Sequence, residues 1–280
     1  MKYSYSNLPY AGEALETSFA RVARCGYDAI ELVADVQNLD VVEVLALQEK
    51  YDLPVHALCM IYTPETDLVS SDPATRRAAE DYVFEMLKRG QRIGVRVLPV
   101  TPTACMKITA EADRDTEWGW ARDAVRRLSA EARRRGIRLV IEPWNRYETY
   151  LINTLDQAMK LVSDVGEDNV GVKGDLFHMN IEESDLAASL RAAGSLLWHM
   201  DLADSNRAAP GRGHIPWPNV VRALRDIGYS EVLNFELLPA AADPFTSLKG
   251  RGADEFKDIY TEESVRFLRE QERELKETST

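Results

Sequence analysis

One pattern recurs along this chain: an amphipathic helical stretch, a glycine, then a short run of apolar residues. It appears as Gly26 before AIELVAD, Gly94 before VRVLPVTP, Gly136 before IRLVIEPW and Gly228 before EVLNFELL. Glycine just past a helix takes the left-handed cap, and strands apolar on both faces belong to a parallel sheet covered by helices. Eight strand candidates follow from it: YSYSNL, AIELVAD, VHALCM, RVLPVTP, RLVIEPW, VGVKGDL, LLWHMDL and VLNFELL. Between them, Leu15, Phe19 and Val22 form one helical stripe, Ala121, Ala124, Val125 and Leu128 a second, Leu155, Ala158, Met159 and Val162 a third, and Val220, Leu224 and Ile227 a fourth. Asp72 before Pro73 opens the third helix, and Thr154 with Gln157 makes a capping box on the fifth. Eight βα alternations without a Pro/Ser-rich linker predict an α/β fold, a single (β/α)8 TIM barrel over residues 1–280. The C-terminal helix is expected to end in a charged tail that frays after Leu268. A doubly wound open sheet uses the same units, and pairing of the first strand with the last is what separates the two.

Composition narrows the class of partner. With 280 residues and 45% hydrophobic content the chain can bury a large core, and its net charge of -12 opposes a nucleic-acid partner, which asks for a basic face. Cys25, Cys59 and Cys105 are widely spaced and lack any CxxC pairing, so they read as reduced and mostly buried. No apolar run approaches the ~20 residues of a membrane span, and the N-terminus is polar, so no membrane partner and a cytoplasmic location are expected. The arginines at 126, 127, 133, 134 and 135 read as the solvated face of a helix. Two loops, Tyr62 to Ser71 and Pro239 to Asp254, are long enough to act as lids.

The chemistry concentrates where strands end. In LLWHMDLADSNRAAPGRGHIPW, His199 and Asp201 lie two apart on one face of a strand, and Asp204, Asn206, Arg207 and His214 follow in a Gly-rich loop. Four consecutive strands of the C-terminal half end on an acid or a His/Asp pair: Glu142, Asp175, His199 with Asp201, and Glu236. A barrel would crowd these charges around one axis, which is unfavourable unless a cation neutralises them or some stay protonated. A carboxylate-rich set with little imidazole suits Mn²⁺ or Mg²⁺ better than Zn²⁺. A core histidine bonded to a backbone carbonyl is the competing reading of His199.

IEPWNRYET, GDLFHMNIEE, HMDLADSNRAAPGRGHIPW and the FE of NFELL resemble, in strand order, the signatures of the xylose isomerase-like TIM-barrel superfamily, in particular the tagatose/psicose (allulose) 3-epimerases. The resemblance implies one divalent ion, Mn²⁺ first with Mg²⁺ or Co²⁺ as substitutes, on Glu142, Asp175, Asp201 and Glu236. It implies Glu142 and Glu236 as the catalytic acid/base pair, and substrate contacts at Glu148, His178 and Arg207; His199 is a further candidate contact, and His214, at a position where relatives vary, a weak one. The reaction implied is proton abstraction beside a metal-polarised carbonyl of a ketose, through an enediolate, in a homodimer or homotetramer. One departure stands out: relatives carry histidine where this chain has Asp201, so either Asp201 replaces the imidazole as ligand or His199 takes its place. The same site could serve a dehydratase or a 3-oxo-glycoside deglycosidase, and a non-catalytic sugar-binding protein is a further alternative. A DNA-repair endonuclease of the superfamily is opposed by the net charge.

Overall fold

The computed structural model describes residues 1–10, 12–34, 36–238 and 254–277. Its strands are β1 (Lys2–Ser6), β2 (Ala29–Ala34), β3 (Val55–Met60), β4 (Val97–Val100), β5 (Arg138–Ile141), β6 (Val170–Asp175), β7 (Leu197–Leu202) and β8 (Val232–Phe235). All pair in parallel in chain order, and β1 pairs with β8 through Tyr3–Leu233 and Ser4–Asn234, so the barrel is closed and the open-sheet alternative is excluded. Stacked rings fill the outside of that seam: Tyr3 packs on Phe235 at 5.8 Å and Tyr5 on Tyr10 at 5.4 Å between ring centres.

The helices are α1 (Leu15–Arg24), α2 (Val41–Tyr51), α3 (Pro73–Ile93), α4 (Arg114–Arg134), α5 (Leu155–Val165), α6 (Leu176–Glu182), α7 (Leu186–Ala193), α8 (Trp217–Asp226) and α9 (Asp254–Glu277). Gly26, Gly94, Gly136 and Gly228 all take positive φ, between 65° and 85°, as the repeating motif requires. Asp72 caps α3 with Pro73 in its first turn, and Thr154 and Gln157 form the capping box of α5. The α4 arginines pair at the surface, Arg127 with Glu80 at 2.7 Å and Arg133 with Glu167 at 2.7 Å, contacts worth up to about 1 kcal/mol each.

Two expectations change. Past Leu268 the chain is helical as far as Glu277, with Leu275 buried and the Glu272 carboxylate meeting the Tyr3 hydroxyl and the terminal amine of Met1. The Tyr62–Ser71 loop is held down, with Tyr62, Leu68 and Val69 buried and Asp67 paired to Lys107 Nζ at 2.6 Å. Of the second lid segment, residues 239–253 lie outside the described residues. The three cysteines are free and half-buried.

The barrel interior is unusual. Where (β/α)8 barrels pack layers of branched aliphatic side chains, this one places Glu31, Lys173, His199, Asp201 and Asn234, none exposed at all. Beneath them His56 stacks on His199 at 5.4 Å. Burial, reinforced by the charges of His199 and Arg138, lowers the His56 pKa to about 3. Between about pH 6.5 and 3 the unfolded chain therefore takes up a proton that the folded chain refuses. Stability from this group is complete above pH 6.5 and falls as pH drops, by about 1.4 kcal/mol per unit. We expect His56→Gln to flatten the melting temperature against pH between 6.5 and 4; an unchanged slope would contradict the assignment.

Candidate active site

The site lies at the C-terminal mouth, where a parallel barrel exposes the ends of its strands. Asp175 closes β6, Asp201 sits near the end of β7, and Glu142 and Glu236 are the residues immediately after β5 and β8. Side-chain atoms of Asp175, Asp201 and Glu236 lie within 4.8 Å of one another, and so do those of Glu142, Asp175 and His178. Asp175 belongs to both groups. Its Oδ1 caps α6 by accepting from Phe177 N at 2.7 Å, whereas its buried Oδ2 has no hydrogen-bond partner among the described residues.

Charge bookkeeping leaves a deficit of cations. Glu31, Glu142, Asp175, Asp201 and Glu236 are five carboxylates around one centre, facing Lys173, Arg207 and His199, whose pKa is raised to about 9. Burial alone would lower His199, but its bonds to Asp201 and Glu31 overcome that. Two negative charges remain. The acids at the mouth register them: burial, then the charges of Asp201 and Glu236, outweigh Lys173 and push Glu142 up to about 7, and Asp175 and Glu236 are raised for the same reasons. A hard divalent cation would cancel that excess, and the unpartnered Asp175 oxygen beside the other carboxylates fits one.

Around this centre stand the polar groups of two loops. Arg207, in a left-handed conformation at φ 62°, sends Nη2 to Glu236 Oε2 at 3.0 Å and Nη1 to within 3.9 Å of Glu148 Oε1, and its guanidinium covers Phe177 at 4.7 Å. Asn145 fixes two others: its amide donates to Glu148 Oε1 at 2.9 Å, and its backbone N donates to His178 Nδ1 at 3.2 Å. His178 therefore carries its proton on Nε2, 3.6 Å from Asp175 Oδ2. Burial and the charge of Arg207 keep that imidazole neutral.

The structure brings together Glu142, Asp175, Asp201, Glu236, Glu148, His178 and Arg207. It does not bring His214, which faces solvent and pairs with Ser205 Oγ at 2.8 Å because the Gly-rich turn folds back on itself. His199 is no substrate contact either. It lies below the carboxylates, fully buried, with Nε2 at 3.1 Å from Asp201 and 3.3 Å from Glu31. Sequence reasoning passed over Glu31, Lys173 and Asn234. The signal was there: each is a lone polar residue inside an apolar strand that helices cover from outside, which leaves only the barrel axis for its side chain.

A closed eight-stranded barrel with a carboxylate and imidazole cluster at its mouth defines the class. Residues 19–271 match the xylose isomerase-like TIM barrel family, and the chain belongs to it. More particularly, it is 33% identical to the D-psicose 3-epimerase of Ruminiclostridium cellulolyticum over 218 residues, 75% of this chain and 73% of that one. It is 27% identical to the 3-dehydro-D-guloside 4-epimerase of Escherichia coli over 248 residues, 87% of this chain and 95% of the relative. The crystal structure of D-psicose 3-epimerase with D-tagatose from Clostridium cellulolyticum H10 superposes with a TM-score of 0.86 at 28% identity, covering 96% of this chain and 98% of that one. The chain is thus an enzyme of the isomerase and epimerase class.

Proposed function

We propose that this enzyme epimerises a ketose or related keto-sugar at a carbon beside the carbonyl, with one divalent ion, Mn²⁺ by preference, held at Glu142, Asp175 and Glu236. Asp201 is the fourth carboxylate of the set that the family resemblance implies. When bound, such an ion supplies positive charge that polarises the carbonyl and its neighbouring hydroxyl. The observation that carries the reading is the pair Glu142 and Glu236, buried carboxyls from strands three apart, both raised toward the neutral form by their surroundings. Inversion needs a base on one face of the carbon and an acid on the other, and groups of this kind contribute about 10²- to 10⁴-fold each. One glutamate takes the proton from carbon and the other returns one to the opposite face. Arg207 holds Glu236 in place, and in this reading His178 Nε2–H and Glu148 bond sugar oxygens.

The test is a panel of ketohexoses, ketopentoses and 3-oxo-glycosides incubated with the Mn²⁺-loaded protein in D₂O, read by proton NMR. A new epimer with deuterium at the inverted carbon is the expected product. An ultraviolet-absorbing unsaturated product would replace the epimerase reading by the elimination reading. No described helix is long and apolar enough to cross a membrane, and a cytoplasmic homodimer or homotetramer completes the proposal; light scattering reads the assembly.

A further inference from the structure

Among the described residues Lys173 is the lysine at the bottom of the site, fully buried among carboxylates. It projects from β6 on the same face as Asp175, one layer deeper, with no exposure. Its Nζ lies 2.5 Å from Asp201 Oδ2 and 3.0 Å from Glu142 Oε1. Neither contact is an aligned hydrogen bond; the ammonium is held by charge. Asp201 is engaged on its other side as well, since Oδ1 accepts from Asn234 Nδ2 at 2.9 Å and faces His199 Nε2 at 3.1 Å. Asn234 in turn donates to Glu31 at 2.9 Å, so the group is braced from β2, β6, β7 and β8.

Asp201 and Asp175 are neighbours across the β6–β7 ladder and share one cluster of candidate ligands with Glu236, yet their charged partners differ. Among the described residues neither Oδ2 has an aligned hydrogen bond, but that of Asp175 has the His178 Nε2 at 3.6 Å, whereas that of Asp201 faces the Lys173 Nζ at 2.5 Å. On its other side Asp201 Oδ1 faces the His199 imidazole at 3.1 Å. A carboxylate paired with a buried ammonium has its charge largely spent, and drawing it to an ion would leave Lys173 only Glu142, at 3.0 Å and itself a proposed ligand, as its anion, a costly outcome for a fully buried charge.

Resting on the function proposed above, we infer that Lys173 and Asp201 act as one neutral unit: Asp201 anchors the lysine and does not ligate the divalent ion. Lys173 is a tethered second cation that shares Glu142 with the ion and weakens the ion's binding by like-charge repulsion. The ion's protein ligands are then Glu142, Asp175 and Glu236, and Lys173 is a positioning residue for Glu142.

Calorimetric titration of Mn²⁺ into chelator-stripped protein tests this without reading turnover. Lys173→Met removes the competing charge and should tighten Mn²⁺ binding by at least about tenfold. The double variant Lys173→Met with Asp201→Asn removes the neutral unit whole and should stay within about tenfold of the wild type. A loss beyond tenfold in the double variant means that Asp201 ligates the ion and overturns the inference, as does a Lys173→Met variant that binds no tighter. Should the single variant fail to fold, the double variant, which buries no unpaired charge, decides alone. A wild type that binds Mn²⁺ while the double variant does not overturns this inference and leaves the proposed function standing; Mn²⁺ binding absent from all three proteins overturns both.

Discussion

Glu236→Gln and Glu142→Gln each yield a folded protein whose epimerisation rate is lower by about 10³- to 10⁴-fold at saturating Mn²⁺. Glutamine keeps the size of the side chain, and its amide oxygen still accepts from Arg207 at position 236, where the carboxylate now does so at 3.0 Å. What it lacks is the capacity to take and return a proton. Both residues are also proposed ligands, so the rates must be compared on protein shown to carry one ion per chain. The two variants should then fail differently. Each retains the base on one face of the sugar, so each should still wash deuterium from D₂O into one epimer without converting it to the other, and the two should choose opposite epimers. A structural or purely ligating role predicts equal loss of exchange with both epimers. A fully metallated glutamine variant that epimerises at the wild-type rate would remove that residue from the acid/base pair.

The positions of the two glutamates are legible in sequence, and the reason is physical. A carboxylate at the end of an apolar strand has one place to go in a parallel barrel, the C-terminal mouth, so Glu142, Asp175 and Glu236 announce themselves by position alone. The eight strands were legible for a related reason: burial on both faces leaves almost continuous apolar runs, and the glycine caps punctuate them. Lys173, Glu31 and Asn234 were missed because a single polar residue inside such a run looks like tolerance. Its meaning depends on partners from strands 100 or more residues away in some cases, as for Asn234 and Glu31, 203 residues apart. The departure at Asp201 was visible, but whether Asp201 or His199 replaced the expected imidazole could not be decided from spacing, since both project inward. Contacts decide what each does: His199 turns its Nε2 to Glu31 and Asp201, and Asp201 is flanked by Lys173. Likewise the charged end of α9 reads as a solvated tail until Glu272 is seen to reach the N-terminus, a tertiary contact that composition cannot carry.

The second large effect concerns a residue that touches no proposed ligand. Asp204 is fully buried and accepts four hydrogen bonds: Oδ1 from Ser205 N at 2.8 Å and Ile215 N at 3.1 Å, Oδ2 from Gly211 N at 2.7 Å and Trp217 Nε1 at 3.0 Å. Burial alone would raise its pKa, but these donors hold the carboxyl below its ordinary range. Its contribution to stability is therefore present above about pH 4 and is lost as pH falls through the depressed folded value. One carboxylate thus organises the whole β7–α8 loop, and Gly213 is part of the design, because a Cβ there would run into the Asp204 side chain. The loop's product is Arg207, whose N–H donates to Asp204 O at 2.8 Å and whose left-handed backbone aims the guanidinium at Glu236. Asp204→Ala strands four donors at once; with water replacing part of the loss, the cost is about 3–5 kcal/mol, a melting temperature lower by roughly 10 °C. Asp204→Asn should cost nearly as much, since its amide NH₂ would face N–H donors. In the fraction that remains folded, a displaced Arg207 should raise KM and lower kcat together, about 10- to 100-fold in kcat/KM. Hydrogen exchange at Ser205, Gly211 and Ile215 should accelerate while exchange in β2 and β3 stays as in the wild type. An Asp204→Ala protein melting within 2 °C of the wild type, about the shift expected from 1 kcal/mol or less, would show that the loop is held by its backbone alone.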